Sequence, residues 1–199
     1  MIADGYWPDG GSALLGAHGC AIPISDVWGM NGARAGLCLE APPYDSGTAM
    51  KLIHDRSRPV DLEEFLSRLL FAHLASASEE GPRESPVWFL WEDGAVWIIG
   101  SLRDDSFPRR IEREPRCAIG IVDFDVERGL VHHVGMRGRA SVEPFDPDRA
   151  TRLLQRYLGE RVEAWDHRFR ETLEDPDNVL IRFSPETLVA RDQSYEVKK

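Results

Sequence analysis

The chain has 199 residues, enough for one sizeable domain and marginal for two. It carries 24 lysines and arginines against 34 acidic residues, and the formal net charge of −10 argues against nucleic acid or an anionic membrane as partner. No apolar run reaches the roughly 18 residues of a transmembrane helix, the first residues lack the basic start and apolar stretch of a secretory signal, and Cys20, Cys38 and Cys117 are too scattered for a disulfide framework or a zinc site. Together these features point to a reducing cytoplasm.

Residues 1–50 stand apart. They hold nine of the 17 glycines, and a single basic residue, Arg34, against five acidic ones. Such a stretch buries little and loses much backbone entropy on ordering. It reads as a poorly ordered extension preceding a domain at 51–199. A sharper expectation is that translation starts at Met50; the functional alternative is a lid or dimer arm.

Further along, Asp61 opens a helix with Glu64 in the capping-box position, and Leu62, Phe65, Leu66, Leu69 and Leu70 fall on one face. Residues 73–78 turn β-compatible, and Glu80-Gly81-Pro82 is turn chemistry. The apolar run 86–91, the turn Glu92-Asp93-Gly94 and the return 95–99 form the strongest hairpin signal. Ser106 can cap a short helix bearing Pro108, Arg109, Arg110 and Ile111, with Pro115 past its end. Residues 117–123 and 130–142 read as strands about Glu127-Arg128-Gly129. Asp146-Pro147 starts a helix with Ala150, Leu153, Leu154, Tyr157 and Leu158 at helical spacing, and Gly159 ends it. Val162, Trp165, Phe169 and Leu173 suggest another helix. Two strands, 179–183 and 187–191, close the chain around Ser184-Pro185-Glu186.

Short connections and hairpins favour a mainly β antiparallel barrel with peripheral helices. Strand-helix-strand units do not repeat, and no glycine-rich dinucleotide or phosphate loop follows a strand.

Several segments, in order, carry a resemblance: Phe71-Ala72-His73-Leu74-Ala75-Ser76-Ala77, Gly81-Pro82-Arg83, Ser85-Pro86-Val87-Trp88-Phe89, Val96-Trp97-Ile98-Ile99, Arg113-Glu114-Pro115-Arg116, Cys117-Ala118-Ile119-Gly120-Ile121 and Val134-Gly135-Met136-Arg137-Gly138-Arg139-Ala140. Residues 65–142 thereby resemble the pyridoxamine 5′-phosphate oxidase-like family of FMN-binding split barrels, antiparallel barrels of Greek-key type. The resemblance implies a homodimer with FMN between two barrels. Some members use a deazaflavin or bind haem instead. The implied function is an FMN-dependent oxidoreductase acting on a small molecule; the alternative is a non-catalytic barrel that holds flavin, deazaflavin or haem for storage, sensing or protection.

FMN needs its dianionic phosphate held and its flat ring covered. At the start of the short helix, Ser106 offers a hydroxyl and Arg109 and Arg110 offer guanidinium groups. Ser101 and Arg103, at the end of the preceding strand, are placed to reach the same spot, with Arg83 a second-rank candidate. Ser85, Pro86, Val87 and Trp88 match the strand that in the family lies along the flavin ring. One departure stands out: family members commonly carry a lysine three residues before an asparagine in this helix, and here those positions are Phe107 and Arg110. The plainer readings are a solvated arginine face, and barrel core or dimer contact for Trp88, Trp91 and Trp97. His132 and His133 are strand neighbours, so they point to opposite faces and do not easily share an ion. Arg137 and Arg139 suit an anion or an interface, and Arg182 and Arg191 an anionic substrate. No motif singles out vitamin B6 chemistry, a metal site or a catalytic residue; a hydride-transferring flavin needs no nucleophile–base triad.

Overall fold

The computed structural model describes residues 50–54 and 61–198. The extension expected before Met50 lies outside them. In chain order the elements are β1 (Lys51–His54), α1 (Leu62–Ser67), β2 (Ala72–Ser78), β3 (Gly81–Val87), β4 (Leu90–Glu92), β5 (Ala95–Ser101), α2 (Phe107–Arg113), β6 (Arg116–Asp125), β7 (Leu130–Glu143), α3 (Pro147–Leu158), a 3-10 turn (Val162–Ala164), α4 (His167–Thr172) and β8 (Asn178–Asp192).

The sheet order is β3-β2-β6-β7-β8-β5-β4, all antiparallel, with β1 added in parallel to β8. The 15-residue β8 pairs with β7 along one edge; its other edge takes β5 at residues 178–183 and β1 at residues 187–190. One long strand thus joins two half-sheets, and the fold is a mainly β split barrel with peripheral helices. Strand alternation fills it. Leu74, Ile119, Ile121, Val134, Met136, Ile181, Phe183 and Leu188 point inward, and Phe65, Phe89, Phe107 and Ile111 join them. Each of the larger side chains contributes about 1.5–3 kcal/mol on burial.

Capping follows the sequence closely. The Asp61 carboxylate accepts from the Glu64 amide at 2.9 Å, and the Asp146 carboxylate accepts from the Asp148 and Arg149 amides at 3.0 and 3.2 Å. Gly159, at φ 87°, ends α3. Elsewhere the chain departs from expectation. α1 stops at Ser67, so Leu69 is exposed rather than on its apolar face. The strand expected over 86–91 is two: β3 pairs with β2, β4 pairs with β5, and Trp88 and Phe89 make the corner between half-sheets. The Tyr157 hydroxyl pins that corner, accepting from the Phe89 amide at 3.2 Å and donating to the Leu70 carbonyl at 2.8 Å. A continuous apolar run carries no alternation to mark such a corner.

Conversely, the two strands expected at the C-terminus are one. Arg137 pairs with Thr187 but Gly138 pairs with Pro185, so Glu186 is an extra residue in a bulge. The bulge absorbs the Ser184-Pro185-Glu186 turn chemistry. The helix expected over 162–173 is broken into the 3-10 turn and α4, which Asp166 caps. Among the described residues, no helix is long and apolar enough to cross a membrane.

Candidate functional site

Helix α2 lies against β2, β5 and β7. Its first residue, Phe107, stands where the resemblance expects a lysine, and its ring is core. A Cβ on Gly100 would come within 3.0 Å of that ring, so a glycine in β5 allows the helix to sit so close.

One turn on, Arg110 points inward. Its Nε donates to Ser76 Oγ at 2.9 Å, its Nη1 to Ser106 Oγ at 2.5 Å, and its Nη2 faces Ser85 Oγ at 3.5 Å. Arg110 is 7 % exposed, and Ser76 and Ser85 are buried; Ser106 is at the surface. A desolvated guanidinium needs several acceptors, and serines from β2, β3 and the α2 start supply them. A serine hydroxyl that accepts from Arg110 is also a donor by its chemistry. The cluster therefore combines a cation with hydroxyl donors, reachable from solvent through Ser106. Ser106 is the N-cap residue of α2, but its hydroxyl makes no capping bond and serves Arg110 instead.

The remaining candidates do not converge there. Arg103 is tied to Asp175 at 2.6 Å and Asp177 at 2.8 Å. Arg109 donates to the Leu102 carbonyl at 2.6 Å. Arg83 is exposed and paired with Glu80. Ser101 is buried, and its hydroxyl accepts from the Arg103 and Asp104 amides, which knots the turn before α2. Val87 is core, and Pro86 is exposed on the outer face opposite His73. Trp88 stacks on Tyr157 at 4.7 Å and 3° and on Phe169 at 5.3 Å and 22°, beneath α3 and α4.

Among the other residues singled out, Arg137 and Arg139 are exposed on β7. Arg182 lies 5.9 Å from the centre of the Trp97 ring. His132 sits 3.6 Å from Asp192, while on the other face burial, with Arg191 second, lowers the pKa of His133. Cys117, in register with Ser76, has its thiol pushed up to about 11, chiefly by burial. Ser76 itself was not anticipated from sequence. The signal is present nonetheless: Ala72, Leu74 and Ser76 are the inward positions of β2, and only the last is polar.

A split barrel with a buried arginine–serine cluster under α2 defines the class. The family model for pyridoxamine 5′-phosphate oxidase matches residues 60–191, and the chain belongs to that family. Among solved structures, the conserved hypothetical protein Rv2991 from Mycobacterium tuberculosis is 17% identical, with 71% of this chain and 94% of that one covered and a TM-score of 0.57. An F420 reductase is 24% identical, with 66% and 98% covered and a TM-score of 0.51. Both likenesses are of fold. No curated protein sequence matches the chain.

Proposed function

We propose that the chain is an FMN-dependent oxidoreductase acting on a small molecule, with the flavin phosphate held at Arg110, Ser106 and Ser85. The observation that carries this is the guanidinium of Arg110 set among three serine hydroxyls beside the strand 85–88. With Phe107 in the core, Arg110 supplies the cation that the family's lysine supplies elsewhere. Family membership and the fold support the flavin itself. When bound, FMN supplies the hydride chemistry; this chain's residues bind and orient it. A homodimer completes the reading, because among the described residues β6 carries exposed apolar side chains on its outer face. A cytoplasmic setting suits the free thiol of Cys117.

Titration of the chain with FMN and with riboflavin tests the proposal. Losing a charge-assisted bond costs about 1.5–3 kcal/mol, so Arg110→Met weakens FMN binding about 10- to 100-fold and leaves riboflavin binding unchanged. Arg109→Ala changes neither. Equal FMN affinity in Arg110→Met and the wild type removes the cluster from the site, and a wild type that ignores FMN removes the flavin.

A further inference from the structure

The Arg110 cluster has a back as well as a mouth. Ser76 Oγ stands 2.9 Å from Arg110 Nε, and Ser76 is 3% exposed, whereas Ser106 is at the surface. A guanidinium offers an anion two planar forks, one between Nε and a terminal nitrogen and one between the two terminal nitrogens. Ser76 takes Nε, while the terminal nitrogens face Ser106 and Ser85. The sheet fixes Ser76 from both sides. It pairs with Arg83 of β3 and with Cys117 of β6, and β2 lies between those strands. The acceptor on Nε therefore belongs to the sheet, and the guanidinium to a helix packed on it.

We propose that Ser76 is a positioning residue for the anion site: by accepting from Nε, it turns the terminal fork of Arg110 toward the mouth, between Ser106 and Ser85. This deepens the phosphate assignment above and rests on it. Ser76 lies behind the guanidinium and acts through it, and the phosphate meets the other edge. A long side chain that must be ordered on binding lowers affinity, and an Nε–H held in the unliganded fold reduces that cost. Two roles for Ser76 then differ in what they predict. A residue that only packs the core changes stability and treats all flavins alike. A residue that aims Arg110 changes the binding of FMN and spares riboflavin, which lacks the phosphate.

Two measurements on the full chain test this, one without ligand and one with it. In the ligand-free protein, nitrogen NMR is expected to show a slowly exchanging Arg110 Nε–H, assigned by its loss in Arg110→Met. Ser76→Ala speeds that exchange, and Ser76→Thr, which keeps the hydroxyl, does not. In titrations, Ser76→Ala weakens FMN binding about 10-fold, the loss of one hydrogen bond to a charged group. Riboflavin binding stays unchanged, and Ser76→Thr restores the affinity for FMN. Added to Arg110→Met, Ser76→Ala causes no further loss, because the two act as one unit. Ser76→Cys, close in size but a weak acceptor, replaces Ser76→Ala if the alanine variant does not fold. The proposal fails alone if Nε–H exchanges equally fast in Ser76→Ala and the wild type, or if that variant keeps wild-type FMN affinity. It also fails if FMN and riboflavin weaken together, or if the loss recurs undiminished in the Arg110→Met background. A wild type that binds no FMN overturns the flavin reading and, with it, this role for Ser76.

Discussion

Glu92 fastens α3 to the β4–β5 hairpin, beside Asp93, whose carboxylate accepts from Arg149 at 3.0 Å. Glu92 accepts from Arg152 through both oxygens at 2.9 Å and from Arg149 at 2.6 Å, while the Arg149 guanidinium lies 3.8 Å from the centre of the Trp97 ring. Arg152 first, and then Arg149, hold the Glu92 carboxyl below its ordinary value of 4.5. The charged form is thus favoured by folding. Its stabilisation is present above pH 4.5 and is lost as pH falls through the lower folded value. The carboxylate is partly exposed, which screens the pair. Glu92→Gln is expected to cost about 1 kcal/mol in urea unfolding at pH 7, with the difference from wild type shrinking towards pH 3; a difference independent of pH would show that the carboxylate charge plays no part. His133 also has a lowered folded pKa, because burial disfavours its charged form. Its contribution is full above 6.5 and falls away as pH drops through the folded value, so His133→Gln should flatten the loss of stability between pH 7 and 5. Residue spacing alone did not reveal where the arginines go. Arg103, Arg109 and Arg110 are close in sequence, yet Arg103 turns to Asp175 and Asp177, far along the chain, and only Arg110 enters the serine cluster.

Two glycines separate what an element needs for folding from what it leaves open. A Cβ on Gly138 would stand 2.1 Å from the Ser184 carbonyl oxygen, at the bulge where β7 meets β8. Gly138→Ala must push β8 aside and is expected to cost about 2 kcal/mol or more. Gly120, in mid-strand β6, faces open space, and Gly120→Ala should be neutral or stabilise by up to about 1 kcal/mol. Thermal melts of the two variants check the contrast; equal melts would mean that the bulge yields freely. The same bulge shows where sequence reasoning reaches its limit. Helix caps are local, and Asp61, Asp146 and Gly159 could be read directly. The hairpin turn at Asp93-Gly94 is local too, and both residues have positive φ. Which strand spans both half-sheets is decided by long-range pairing, so Ser184-Pro185-Glu186 looked like a turn and became a bulge. β1 was missed for a related reason: four residues carry too short a pattern, and their pairing with β8 is non-local.

At the scale of the whole molecule, the outer face of β6 carries apolar side chains that the other described residues leave exposed. Val122 and Phe124 point outward with 48% and 60% of their surface exposed, Val126 follows just past the strand, and Phe71 precedes the neighbouring β2 with 42% exposed. Contiguous apolar side chains of this kind mark an interaction surface more often than a solvated one. A second copy of the chain would cover them, provided the contact reaches the roughly 800 Å² per partner of a stable interface. The formal charge of −10 repels two copies, so apolar contact must carry the association. Replacing both Val122 and Phe124 with Lys places two charges at the centre of that contact without touching the core. The double variant is expected to sediment as a monomer at concentrations where the wild type is a dimer, with an unchanged far-ultraviolet spectrum. If the flavin lies between two barrels, FMN affinity falls in step with dissociation. A monomeric variant that binds FMN as tightly as the wild type would confine the cofactor to one chain, and a wild type that sediments as a monomer would leave the apolar face without a second copy to cover it.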